Sequence, residues 1–234
     1  MHGDGAAGTA AAQHAGRLTW ALALTATYMV AEVIGGLVTG SLALLADAAH
    51  MLTDVGGLAL ALLAIRFAAR EATPQRTYGY LRMEVLSALT NAVVLLLLTV
   101  YILYEAYQRF QAPPEIRSTP MLIVAGIGLV VNLISMRLLA GGSSESLNVK
   151  GAYFEVLSDM LGSIGVIVAA LLMMWKGWIL ADPIIGAGIG LFIVPRTWTL
   201  LKQVTHILME GTPPNVDPGL LEKKLAEIPG VTAV

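Results

Sequence analysis

The sequence predicts an all-α integral membrane protein with six transmembrane helices. Only 13% of its 234 residues are charged and 56% are apolar, whereas a typical soluble domain is roughly 25% charged. The mean hydropathy is +0.74. Apolar runs of about 20 residues, long enough to cross a bilayer as helices, alternate with short segments rich in glycine, proline and serine.

These runs place the six spans at residues 18–38, 42–67, 83–107, 121–140, 149–175 and 179–195. Helix-breaking residues lie between them or near their ends, at Gly40-Ser41, Thr73-Pro74, Ala112-Pro113-Pro114, 141–144 and Asp182-Pro183. After residue 195 the chain continues as an amphipathic helix. A last, soluble helix is predicted over 220–228, because Asp217-Pro218 supplies an N-cap followed by proline at the first helical position.

The distribution of basic residues predicts the orientation. With six spans, both termini lie on one side of the membrane. Nine basic residues fall on that side and three on the other, so the positive-inside rule places both termini in the cytoplasm. The larger set is Arg17, Arg66, Arg70, Arg76, Arg82, Arg137, Lys150, Arg196 and Lys202, and the smaller is Arg109, Arg117 and Lys176. We expect a multi-pass protein of the cell membrane, with the bacterial inner membrane as its first candidate.

The chain divides into three segments. Residues 1–16 are predicted to be a flexible cytoplasmic tail, 17–210 a six-helix transmembrane transport domain, and 211–234 the start of a truncated cytosolic domain, since so few residues cannot bury a core. The absence of cysteine excludes disulfides and thiolate metal sites. The net charge of -2 argues against a nucleic-acid partner.

Two pairs of metal-ligating side chains lie inside the apolar spans. His50 and Asp54 are four residues apart in the second span, and Glu155 and Asp159 are four apart in the fifth. Residues with this spacing share one face of a helix. A charged side chain at mid-bilayer costs about 2.5–3.5 kcal/mol even on a lenient scale. Three carboxylates and an imidazole in such a place therefore predict a divalent cation as their partner.

The two pairs are expected to meet near the middle of the membrane, because the second and fifth spans run in opposite directions. One imidazole and three carboxylates suit zinc in tetrahedral geometry, and would also accept cobalt, cadmium, iron or manganese. A structural His–Asp hydrogen bond between spans is the alternative. Asp47 is a ligand or, more commonly for such a position, a group that orients His50 or packs helices. Glu32 and Asn91 are predicted to hydrogen-bond between helices or to line the pathway.

Several other features indicate no separate function. Residues 186–190 contain a glycine pattern that resembles a dinucleotide-binding fragment, but in a membrane helix it predicts close packing, as do Gly162 and Gly165. His2 and His14 lie in the N-terminal tail, where isolated histidines are usually inert. His206 is predicted to be exposed. The sequence contains no recognisable enzyme or cofactor motif, so we expect a non-enzyme without a resident cofactor.

Four segments of the chain resemble the cation diffusion facilitator family of zinc and heavy-metal transporters: SLALLADAAHMLTD, PQRTYGYLRMEVLSALTN, NVKGAYFEVLSDMLGSIGVI and ILMEGTP. The resemblance implies a homodimer with six spans in each protomer. It also implies a cytosolic βαββ-type domain, of which this chain would retain only the opening helix. The transport site implied by the resemblance consists of His50, Asp54, Glu155 and Asp159.

The chain departs from the family pattern at two places. Glu155 stands where zinc-selective members have histidine, which implies broader metal selectivity. Leu81 and the 141–148 loop lack the histidines that many members carry there, so we predict no metal site in those loops.

The sequence as a whole predicts a proton-coupled antiporter that exports divalent metal ions, zinc first. Two alternatives stay open. The chain could be a membrane metal sensor, or a proton-coupled exporter of organic cations, whose sites are typically roomy and lined by aromatic side chains.

Overall fold

The computed structural model describes residues 4–68, 82–141, 147–213 and 216–228. Helices account for all regular structure in these ranges, as the fold class predicts. They are α1 (Asp4–Thr39), α2 (Leu42–Ala68), α3 (Arg82–Gln111), α4 (Ser118–Ala140), α5 (Leu147–Lys176), α6 (Ala181–Leu208) and α7 (Pro218–Ala226).

Five segments of these helices are long and apolar enough to cross a membrane, among the residues that could be searched. They are Thr19–Thr39, Val85–Gln111, Ser118–Ala140, Val149–Lys176 and Ala181–Leu208. Large apolar side chains such as Trp20, Leu97 and Phe192 are exposed on the outside of the bundle, as lipid-facing residues are. The chain is therefore a multi-pass membrane protein. A sixth span at α2 stays a prediction.

The helix ends differ from the sequence prediction at three places. α1 begins at Asp4, within the 1–16 segment for which the sequence predicts a flexible tail. α6 continues through Pro195 to Leu208 as one helix, as the sequence predicts, but its apolar span also reaches Leu208 rather than ending at residue 195. α7 begins at Pro218, the predicted first helical position, and ends at Ala226, two residues before the predicted end. Its predicted N-cap is confirmed: the Asp217 carboxylate accepts hydrogen bonds from Gly219 N at 2.9 Å and Leu220 N at 3.4 Å.

α2 lies at the centre of the bundle, in contact with α1, α3, α5 and α6. The other main contacts join α3 to α6, α4 to α5 and α1 to α4. Consecutive helices run in opposite directions. We call the end of the bundle where α3 and α5 begin face A, and the end where α2, α4 and α6 begin face B.

A buried carboxylate, that of Asp182 at the start of α6, holds face B together. It accepts hydrogen bonds from Leu42 N at 2.8 Å and Ala43 N at 3.2 Å, and from the Ser41 hydroxyl at 2.6 Å. Asp182 thus satisfies the free N–H groups at the start of α2, where the helix dipole favours an anion. Arg109 of α3 completes the network, donating to Gly40 O at 2.5 Å and approaching the Asp182 carboxylate at 3.5 Å.

Two glycines allow this close approach. Gly40, between α1 and α2, has a φ of 73°, in the left-handed region that favours glycine. At Gly186 of α6, an added Cβ would lie 3.2 Å from Ala43 N and from the carbonyl carbon of Leu42. The predicted close packing around Gly186 is therefore confirmed, whereas Gly188 faces open space.

The Asp182 network gives a testable prediction for stability. We expect Asp182→Ala to lower the free energy of unfolding by about 3–5 kcal/mol, because a broken buried ion pair leaves Arg109 and the α2 N-terminus without their partner. Thermal unfolding in detergent, followed by tryptophan fluorescence, measures the loss. The matched control is Asp217→Ala, which removes an exposed helix cap worth about 1 kcal/mol. Equal shifts for the two variants would contradict the structural role of Asp182.

Candidate metal centre

Three predicted ligands lie together in the middle of the bundle. His50 and Asp54 project from one face of α2, and Glu155 projects from α5. One ligand atom from each lies within 4.8 Å of the other two. His50 Nε2 and Asp54 Oδ2 are 3.6 Å apart. Ligand atoms around a tetrahedral zinc ion, each about 2.1 Å from the metal, lie roughly 3.4 Å apart. Small side-chain movements would bring these three atoms to that separation.

The fourth predicted ligand, Asp159, lies one helical turn beyond Glu155 and is buried. It falls outside the three-residue group, although its carboxylate is near enough to Asp54 and Glu155 to interact with both electrostatically. Its Oδ1 atom is buried and has no hydrogen-bond partner among the described residues. The structure therefore places Asp159 beside the three-residue group, with a free acceptor atom.

Asp47 and Glu32 form a second buried pair, on the face B side of Asp159. Their carboxyl groups are near enough to interact electrostatically, and the Tyr28 hydroxyl donates to Glu32 Oε1 at 3.0 Å. A Cβ added at Gly162 of α5 would collide with the Asp47 carboxylate, so glycine there lets α5 approach α2. The hydrogen bond between Tyr28 and Glu32 lies within α1, so the interhelical role of Glu32 stays a prediction.

Arg196 of α6 reaches into the centre and pairs with Glu155. Its Nη1 donates to Glu155 Oε2 at 2.8 Å, and its Nη2 donates to Glu155 Oε1. This is the two-pronged geometry in which a guanidinium binds a carboxylate most strongly. The sequence predicts that Arg196 lies on the cytoplasmic side of its span, but it does not predict the contact with Glu155.

Two cavities meet at the centre. The first, of about 610 Å³, lies among α1 to α5 and is lined by Asp54, Glu155 and Asp159. The second, of about 590 Å³, is lined by His50, Asp54 and the α6 segment around Arg196. Both extend toward face A, because their other linings include the start of the α1 span, the last turn of α4 and the second half of α6. Among the described residues, the linings of both cavities therefore run from the centre toward face A.

Asn91 of α3 is half-buried and lines both cavities beside Asp54. This position corresponds to the second of its two predicted roles, that of a residue lining the pathway. Its amide lies so close to Gly57 of α2 that a Cβ there would come within 2.6 Å of Asn91 Nδ2. Glycine at this position therefore leaves room for the Asn91 amide.

The remaining predictions about ligands concern the termini and loops. His206 is exposed, as predicted, and its Nε2 lies 2.9 Å from Thr212 O. His2 lies outside the described residues, as does the His14 side chain. The predicted absence of a loop metal site concerns Leu81 and 141–148, most of which also lie outside them.

Two residues that complete these arrangements were missed by sequence reasoning. Asp182 was interpreted only as a helix breaker beside proline, although an acid inside an apolar segment already signals a partner. The same signal was available for Arg196, a basic residue directly after Pro195 within α6. The sequence does not identify Glu155 as the partner of Arg196, because the two residues are 41 positions apart in the chain.

Comparison with known proteins identifies relatives over almost the whole chain. The model of the cation efflux transmembrane domain matches residues 18–209. The metal cation efflux system protein CzcD of Cupriavidus metallidurans is 54% identical over 211 residues, which cover 90% of this chain and 67% of that protein.

Two further relatives have informative names. The zinc transporter ZitB of Escherichia coli is 44% identical over 223 residues, covering 94% of this chain and 71% of ZitB. The cadmium, cobalt and zinc/H(+)-K(+) antiporter of Bacillus velezensis is 44% identical over 209 residues, covering 88% of this chain and 67% of that protein. The chain thus spans about two thirds of the length of these relatives.

The geometry predicts that Asp54 and Asp159 each matter for metal binding. We expect Asp54→Ala and Asp159→Ala each to weaken zinc binding by more than about 100-fold, since even outer hydrogen-bond partners of ligands contribute about 10- to 100-fold. Isothermal calorimetry of the detergent-solubilised protein measures the affinity. Glu222→Ala, on the exposed surface of α7, is the matched control. Unchanged zinc binding and transport by either aspartate variant would remove that residue from the ligand set.

Proposed function

The chain belongs to the cation diffusion facilitator family, and from this premise we propose that it exports divalent metal ions from the cytoplasm in exchange for protons. Zinc is the first cargo, with cobalt and cadmium as further ones. The observation that carries this proposal is the group of His50, Asp54 and Glu155, whose ligand atoms lie within 4.8 Å of one another inside an apolar helix bundle. Asp159 supplies the fourth donor.

The chemistry of the donor set favours a divalent metal ion over other cargo. Imidazole nitrogen and carboxylate oxygen suit zinc, cobalt and cadmium, and three carboxylates in a poorly solvated site need positive charge nearby. The Asp159 Oδ1 and Asp47 Oδ2 atoms, buried and without a hydrogen-bond partner among the described residues, offer unused acceptors. The named relatives include a zinc transporter and a cadmium, cobalt and zinc antiporter, which supports the same set of ions.

The direction of transport follows from the cavities and the basic residues. Both cavities extend toward face A, and the positive-inside rule places that face in the cytoplasm. Metal then enters from the cytoplasm while the Asp182 network keeps face B closed. In this proposal α2 is the sixth span, and both termini lie in the cytoplasm.

Protons drive export because metal ions and protons compete for the same ligand lone pairs. Binding of zinc to carboxylates and imidazole excludes protons from those atoms. Protons arriving from outside then displace the metal, and a site that returns to the cytoplasm reloads. Alternating access around a central site requires only that helices rock between two states. The Bacillus velezensis relative is named a cadmium, cobalt and zinc/H(+)-K(+) antiporter, which supports coupling to protons.

The two alternative functions have less support. An exporter of organic cations is expected to have walls of phenylalanine, tyrosine or tryptophan, and none of the described residues that line the two cavities is of these types. A metal sensor would need the same ligands but no access to the other face, so transport measurements separate it from an antiporter. The proposed transporter is a homodimer, because the family resemblance implies one.

Flux measurements in proteoliposomes test the function directly. We expect the protein to move zinc into vesicles with an acidic lumen and to do so slowly without a pH gradient, as reported by a zinc-sensitive dye inside. Vesicles containing Asp54→Ala are the control. Zinc flux indifferent to the gradient would indicate a passive facilitator, and zinc binding without any flux would indicate a sensor.

The position of Glu155 predicts a change in selectivity. Glu155→His creates a site with two imidazoles and two carboxylates, and we expect it to favour zinc over manganese more than the original site does, because imidazole suits zinc and carboxylate suits manganese. Competition between the two ions for binding measures the ratio. Glu155→Gln, which removes the charge without adding an imidazole, is the control. An unchanged ratio in Glu155→His would show that Glu155 does not contact the metal.

A further inference from the structure

We propose that Arg196 is a tethered cation that competes with the transported metal for Glu155. Its guanidinium occupies the Glu155 carboxylate while the site is empty, leaves when the metal binds, and returns to help expel it. Arg196 thereby sets the affinity and release of the metal. The proposal rests on the proposed function and adds to it a residue that determines how tightly the site holds its cargo.

The first support is that the pair engages both oxygens of Glu155. Arg196 Nη1 donates to Oε2 at 2.8 Å and Nη2 donates to Oε1. The guanidinium occupies the lone pairs on the inner edge of the Glu155 carboxylate. Coordination of a metal ion at that edge therefore requires at least one of these hydrogen bonds to break.

The second support is the position of the guanidinium relative to the other ligands. Arg196 lines the same cavity as His50 and Asp54, and Glu155 lies within 4.8 Å of both. A bound dication at this centre would thus be close to a fixed positive charge. Repulsion between the two cations adds to the competition for the carboxylate.

The third support is that Arg196 has room to move. Its side chain is 61% exposed, compared with 32% for Glu155. The cavity beside it, of about 590 Å³, is also lined by the polar side chains of Thr199 and Gln203. A released guanidinium can therefore turn toward these two polar side chains, on the face A side of the centre. A merely structural arginine would instead be enclosed by fixed partners, as Arg109 is at face B, where its side chain is only 12% exposed.

We test this competition by measuring the zinc affinity of a variant in which the positive charge of Arg196 is removed. Removal of the guanidinium in Arg196→Gln should raise zinc affinity by roughly three- to tenfold, because an exposed ion pair and its repulsion of the metal are lost. Zinc release, followed as the rate of exchange with a chelator, should slow by a similar factor. Lys202→Gln removes a positive charge from the same helix, where Lys202 lies over the Trp198 ring at 5.6 Å, and should leave both quantities unchanged.

A double-substitution cycle shows whether the effect acts through Glu155. Glu155→Gln alone should weaken zinc binding, and adding Arg196→Gln to it should no longer restore affinity. A lower or unchanged affinity in Arg196→Gln, or a gain that persists in the Glu155→Gln background, would overturn the proposal. If Arg196→Gln does not fold, Arg196→Lys replaces it, with a smaller gain expected because one ammonium cannot cover both oxygens.

The same measurements distinguish this proposal from the proposed function. Wild-type protein that neither binds nor transports zinc would contradict both. Wild-type protein that transports zinc, combined with an Arg196→Gln variant of lower affinity, would overturn only the competition and assign Arg196 to positioning Glu155.

Discussion

The structure depends on one constraint, which is that each carboxylate inside an apolar helix bundle needs a compensating partner. Burial of an unpaired charge is among the most costly events in a protein interior. Asp182 meets the requirement fully, with backbone N–H groups, a hydroxyl and Arg109 around it. Glu155 meets it through Arg196. Asp159 and Asp47 meet it incompletely, since each retains a buried oxygen without a partner among the described residues. The fully partnered carboxylate of Asp182 holds helices together. The carboxylates that keep a partnerless oxygen mark the place where we expect a cation to bind.

This difference divides α2 into two functional halves. At face B the helix begins against α6 at backbone contact distance, and Asp182 and Arg109 tie α2, α3 and α6 into one unit. Toward face A the helix is bordered by two cavities, and Asp54 contributes to the lining of both. The proposed ligands therefore lie between the half of the bundle tied by Asp182 and the half bordered by the two cavities. Any opening toward face B must either break the Asp182 network or carry its three helices along as a body.

The sequence predicted what depends on local pattern and missed what depends on long-range partners. The helices, the Asp217 cap and the close packing at Gly186 follow from spacing and residue type, and the structure confirms them. The meeting of His50 and Asp54 with Glu155 followed from helix direction and depth. Arg196 and Asp182 were not predicted as partners, because nothing in the local pattern identifies a residue 41 or 140 positions away. The sequence predicted that the helix continues past Pro195 but ended the apolar span there, whereas the span reaches Leu208.

Charge balance explains why an arginine belongs beside a site for divalent ions. Asp54, Glu155 and Asp159 carry three negative charges when ionised, and in the empty site Arg196 offsets one of them. A dication that replaces Arg196 offsets two of these charges, whereas a monovalent ion offsets only one. Without Arg196 the centre would attract a dication more strongly, but Glu155 would have no internal partner once the ion left. The empty site would then face the full cost of an uncompensated carboxylate in a poorly solvated bundle. A tethered guanidinium lowers that cost, so the site gives up some affinity and gains an empty state from which transport can begin again.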